Sequence, residues 1–207
     1  NGKSTLFQTP AQHLIAGLVP GSEDIEFYGI PETKEVRFLQ NGQDHAFEDL
    51  SPRHYRMLLN AYMCDASARR LLECITDSSG LELKLSVTRQ VMLYTYYCYG
   101  DLDNAPDIKD GALQPADNYR HERDCISLQF DSKDITINGI PLKPREIRMI
   151  DSFSQEDKDE IVAIELGIVR NTLNQHKKSL FLKAGVFSKI GLMVKAFEER
   201  ILIGNAV

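Results

Sequence analysis

From Pro144 to Gly185 the chain reads as three short, one-sided helices joined by very little connecting sequence. Pro144 suits a first helical turn, where the missing N–H goes unused, and Ile147, Ile150 and Phe153 follow on one side with Arg145 and Glu146 outside. A second stretch, Lys158 to Leu166, puts Val162, Ala163 and Leu166 on one face; small Ala163 admits a crossing helix close by. Gly167 can take the positive φ of a tight turn and Ile168 plugs the corner. A third, Val169 to Ala184, buries Leu173, Leu180 and Phe181 and points Arg170, Asn174, Gln175, Lys177 and Lys178 outward. Helices this short are marginal alone in water, so they must share one core. Ser188 to Leu202 forms a fourth helix, with Ile190, Met193, Val194, Phe197 and Ile201 as an apolar stripe that suits either that core or a contact with a second copy.

The overall net charge of −6 hides a partition. Residues 1–165 carry 28 acidic and 17 basic side chains, whereas residues 166–197 carry six basic and no acidic ones: Arg170, Lys177, Lys178, Lys183, Lys189 and Lys195. A polyanion responds to the local field, so this acid-free stretch is a candidate surface for duplex DNA on an acidic protein.

These residues resemble the helix-turn-helix of LuxR-type transcriptional regulators over about Leu142 to Ala196. Leu142, Pro144, Arg145 and Glu146 match the family's opening, Leu166 to Ile168 its turn, Asn171, Thr172 and His176 its third-helix signature, and Lys183, Gly185 and Val186 its close. The resemblance implies a bacterial, cytoplasmic, sequence-specific regulator of the winged-helix-like superfamily that binds double-stranded DNA and performs no chemistry. Carried over by position, Asn174, Gln175 and Lys178 face bases, and Thr172, Lys177 and Lys183 contact or approach phosphates. It further implies a homodimer through the C-terminal helix. The sequence departs from the family at Glu156 (usually Gly), Ile161 (usually Glu) and Asn174 (commonly Lys). The alternative is a module that docks a protein or RNA partner without specific DNA binding.

Upstream the pattern is mixed, giving an α+β chain: a small N-terminal domain over residues 1–125, then a β-hairpin and a four-helix DNA-binding domain over 126–207. Thr9 and Pro10 open a helix to about Val19. Asp24 to Ile30, Lys34 to Gln40 and Gln43 to Phe47 have strand composition, with Asn41 and Gly42 as a tight turn. Ser51, Asp65 and Ser86 are N-caps of three further helices, the first two running to Met63 and toward Ser78, the third to about Cys98. Asp101 to Asp124, polar and holding Pro106 and Pro115, reads as a linker or long surface loop, and Ile126 to Phe130 with Asp134 to Asn138 as a second hairpin.

No segment offers about 18 apolar residues in a row to span a bilayer. The four cysteines are spread as free thiols of a reducing compartment are. Gly2, Lys3, Ser4 and Thr5 spell only the end of a phosphate-binding loop; Cys98, His121 and Cys125 lack paired metal-ligand spacing; Asp101, Asp103, Asp107 and Asp110 lack the glycine and closing glutamate of a calcium loop. No cofactor or metal is expected. Neither the βα alternation of a receiver domain nor a tryptophan such as lactone-binding domains carry is present, so the input signal and small-molecule effector stay open.

Overall fold

The computed structural model describes residues 14–75, 84–155 and 157–202. It is α+β, with an antiparallel sheet and helices gathered around two hydrophobic clusters. In the first cluster β1 (Ile25–Ile30), β2 (Glu35–Gln40) and β3 (Gln43–Ala46) form a meander, register Phe27 to Phe38 and Phe38 to His45. Ile25, Phe27, Val36 and Phe38 alternate onto the face that meets the helices, as period-2 strands must. Helix α1 (Pro52–Cys64) starts at Ser51, whose hydroxyl accepts from His54 N, and α2 (Ala66–Glu73) at Asp65, whose carboxylate accepts from Ala68 N. Helix α3 (Val87–Tyr99) starts at Ser86 and lies against β1 and β2, buried at nine consecutive residues from Val91 to Tyr99. Its rings cement the cluster: Tyr94 stacks on Phe130 at 6.0 Å and meets Tyr62 at 5.7 Å.

Residues 9–13 of the helix expected over Thr9 to Val19 lie outside the described residues, as do Gly2 to Thr5; its remaining part, residues 14–19, is coil, turn and bend and not helix. The stretch expected to be a linker or long surface loop, Asp101 to Asp124, is largely irregular but is a strap bound into the fold. β4 (Ile108–Lys109) and β5 (Ala112–Leu113) extend the sheet to the order β3-β2-β1-β4-β5. Asp107 Oδ2 accepts from Phe27 N at 2.7 Å, and Asp103 N donates to Glu26 Oε1 at 2.7 Å. The strap is held by carboxylates bonded to backbone, which leaves no apolar periodicity to read.

The second hairpin is also displaced. Ile126–Gln129 is a 3-10 turn, and the strands are β6 (Thr136–Ile137) and β7 (Ile140–Pro141), joined through Asn138 and Gly139 at φ 51° and 69°. Asn-Gly supplies the positive φ pair of a two-residue hairpin, the signal that also joins β2 to β3 at Asn41 and Gly42. The local turn chemistry outweighs the alternation at 126–130, where Cys125, Ser127 and Phe130 are buried with Ile126 packed beside them.

The second cluster is the helical bundle: α4 (Pro144–Ser154), α5 (Asp159–Glu165), α6 (Arg170–Ala184) and α7 (Lys189–Glu198), each within a few residues of its expected span. Ile147, Ile150, Phe153, Val162, Ala163, Leu173 and Leu180 are buried there, joined by Met149, Leu192, Ala196 and Ile201.

A polar seam ties the clusters together. Arg120, wholly buried, makes a two-pronged ion pair with Asp151 of α4 (2.6 and 3.2 Å) and donates to Ile201 O at 3.0 Å. Asn118 Nδ2 donates to Thr136 O and Glu199 O, and Arg200 pairs with Asp101 at 2.9 Å. The buried Lys133 amine donates to Tyr97 O and Tyr119 O. Among the described residues no helix is long and apolar enough to cross a membrane. All four cysteines are free thiols, Cys64 and Cys74 exposed, Cys98 and Cys125 buried.

Candidate nucleic-acid interface

Helices α5 and α6 meet through the four residues Leu166–Val169. Gly167 sits at φ 63°, in the left-handed region that side chains disfavour, and Ile168 N returns to Ala163 O at 2.9 Å. Val162 and Ala163 on α5 and Leu173 and Leu180 on α6 are buried and share the cluster, so the crossing of the two helices is set by their apolar sides. The opposite side of α6 is free. Asn171, Asn174, Gln175 and Lys178 recur at helical spacing and all four are exposed. Thr172 and His176 flank this face half-buried, with Arg145 of α4 reaching His176 Nε2 at 3.3 Å.

The cations behave differently from their order in the sequence. Lys177 is half-buried, pairs with Asp159 at 2.7 Å, and lies 5.8 Å from the Phe153 ring. Lys183 donates to Glu146 Oε2 at 2.6 Å and to Pro141 O at 2.9 Å. The same Glu146 oxygen accepts from Lys143 N at the start of α4. Lys189 donates to Asp157 O and sits 4.8 Å from the centre of the same Phe153 ring, and Lys195 pairs with Glu199 one turn on. Arg170 pairs with Glu160 at 2.9 Å across open solvent, both side chains more than half exposed. Lys178 has no ion-pair partner among the described residues.

A stretch without acids in the sequence is therefore bordered by acids in space, contributed by α4 and α5. Lys177 and Lys183 are built into the bundle, whereas Asn174, Gln175 and Lys178 share one solvent face with Asn171, and Arg170 is held only by an exposed pair that an anion can displace at little cost. Arg145, which reaches His176 beside this face, is exposed, as are Lys143 and Lys158 at the N-caps of α4 and α5. No local spacing links Lys177 to Asp159 or Lys183 to Glu146. The only foreshadowing is the separation of Lys143 and Glu146, which is that of a capping box.

At the far end of the bundle, Phe187 is fully exposed and Ile190, Val194 and Phe197 are 78, 52 and 73% exposed. The apolar stripe expected on the last helix is thus divided: Ile201 is buried and Met193 half-buried, while Ile190, Val194 and Phe197 stand in solvent. Comparison of the chain with protein-family models, curated sequences and solved structures finds no match in any of the three.

Proposed function

We propose that the protein is a sequence-specific regulator that binds double-stranded DNA with α6 in the major groove. One observation carries the reading: the helix that follows the tight Leu166–Val169 turn exposes Asn171, Asn174, Gln175 and Lys178 along one side. Three amides and an ammonium suit base edges and phosphates, since an amide pairs with adenine through two hydrogen bonds. At 15 residues α6 is about 22 Å long, enough to lie along a groove roughly 12 Å wide. This revises the roles carried over by position: Lys178, set there at bases, and Arg170 supply phosphate contacts, whereas Lys177 and Lys183, set there at phosphates, hold α6 against α5 and α4. A second copy docks on Phe187, Ile190, Val194 and Phe197, which pairs two α6 helices on a two-fold symmetric site.

Selection of sites from random duplexes by the purified chain tests the reading. A defined logo whose affinity falls with salt supports it; Lys178→Ala is expected to lower the salt slope by about 1 and Lys177→Ala to leave it unchanged. Asn174→Ala or Gln175→Ala is expected to relax one or two positions per half-site by about 1 to 3 kcal/mol. Binding without salt dependence or sequence preference would sink it. The exposed apolar stripe also favours a second reading, protein docking without DNA. Self-association that is unaffected by duplex and lost in Phe197→Glu, with no logo, would select that reading.

A further inference from the structure

A cleft of about 460 Å³ lies where the two clusters meet, between the 123–135 segment and the start of α4. Its volume falls in the range of small-molecule sites, which favour such junctions. One side is apolar: Phe130, Leu142 and Ile147 are nearly buried and Leu128 half-buried. The charged part of the lining is Arg123, Arg148 and Lys133 with the carboxylates Asp124 and Asp134. Arg123 Nη2 is engaged by Glu165 and Ser152, yet its buried Nε has no hydrogen-bond partner. Arg148 is tied only to Asp124, whose side chain is 71% exposed, and such a surface pair exchanges readily for another anion.

We infer that this cleft binds a small organic carboxylate with an apolar body, the carboxylate on Arg123 and Arg148 and the body over Phe130, Leu142 and Ile147. Two guanidiniums present N–H donors in the fork that a carboxylate accepts. The ligand would touch the segment that closes the first cluster and the helix that opens the second, so it would bind both at once. The site is independent of the DNA reading: it requires only the cleft and its two arginines.

Decanoate, below its micelle concentration, is the probe, titrated calorimetrically into the full chain beside 1-decanol, which has the same body and no charge. Saturable one-to-one binding of decanoate, at least tenfold tighter than of decanol, is expected. Arg148 is partly exposed, so Arg148→Ala is expected to keep the fold and to weaken decanoate about tenfold, as loss of one charge-assisted hydrogen bond does. Gln129 is exposed and lines the cleft; Gln129→Trp is expected to fill it and abolish binding, with an unchanged circular dichroism spectrum. No saturable binding up to about 1 mM, equal affinity for decanol, or equal affinity of both variants and the parent chain overturns the assignment.

Discussion

Two long helices, α6 of the bundle and α3 of the sheet-bearing cluster, meet opposite fates. α3 has 13 residues and is buried over its last nine, whereas α6 has 15 and buries three, Leu173, Leu180 and Ala184. α3 is a core beam: tyrosines and Met92, Leu93 and Cys98 face other protein on every side. α6 spends one narrow stripe on packing and keeps the rest in water. Folding requires the residues of α3, but it leaves Asn171, Asn174, Gln175 and Lys178 free to be chosen for something else. Such exposed polar residues on a rigid helix are where recognition can be written at no cost to stability.

The contrast can be broken most severely at Tyr94. Its ring is fully buried against Tyr62, Tyr99 and Phe130, so Tyr94→Ala is expected to cost about 3 to 5 kcal/mol in urea unfolding. Gln175→Ala is expected to fall within about 0.5 kcal/mol of the parent. Similar values for the two would erase the distinction between the helices.

The next test is the seam between the clusters. Arg120→Met leaves Asp151 as an unpaired buried charge and is expected to cost about 3 to 5 kcal/mol, while Arg120→Met with Asp151→Leu recovers much of it. A double variant as unstable as the single one would mean that shape, not charge, holds the seam.

A smaller effect is expected with pH. Burial, with Asp103, Asp117 and Asp101 nearby, pushes the Glu26 carboxyl up to about 9, and burial pushes Asp117 up to about 7. The folded state keeps protons that the unfolded chain releases above the ordinary carboxylate range, so this stability is full below about 4.5 and is lost as pH rises toward 9. His121 acts in the opposite sense lower down: burial depresses it to about 4, so acidification from 6.5 costs stability. Thermal unfolding is expected to drop by about 2 to 4 °C between neutral pH and pH 9, and Glu26→Gln to flatten that drop. An unchanged slope in the variant would clear Glu26 of the effect.

The smallest effect separates the two kinds of lysine on α6. Lys183→Ala removes an ion pair and a bond to Pro141 O and is expected to cost about 1 kcal/mol, whereas Lys178→Ala is expected to be neutral. Chemical denaturation of the pair decides it, and a cost at Lys178 would return it to the structural set.

Much of the fold was legible because the chain marks its own boundaries. Ser51, Asp65 and Ser86 cap their helices through side-chain oxygens, Asn41 and Gly42 turn the meander, and Gly167 separates α5 from α6. These signals are local, and the physics behind them acts within a few residues. What escaped was long-range. Asp107 finds Phe27 N across 80 residues and Arg120 finds Asp151 across 31, so neither leaves a trace in periodicity. The same blindness affects the candidate interface. Its amide face followed from helical spacing, but the neutralisation of Lys177 by Asp159 depends on how α5 crosses α6.

The Arg120 seam also bears on how this chain could be reused. A gene fusion that carried only residues 134–207 to a new partner would take Asp151 into the bundle and leave behind the arginine that neutralises it, together with the Asn118 amide that serves Thr136 O and Glu199 O. The transferred helices would inherit an electrostatic debt on arrival. Recombination should therefore tolerate a cut before the strap far better than one between the two apolar clusters, and the heritable unit of the C-terminal bundle is larger than its hydrophobic core.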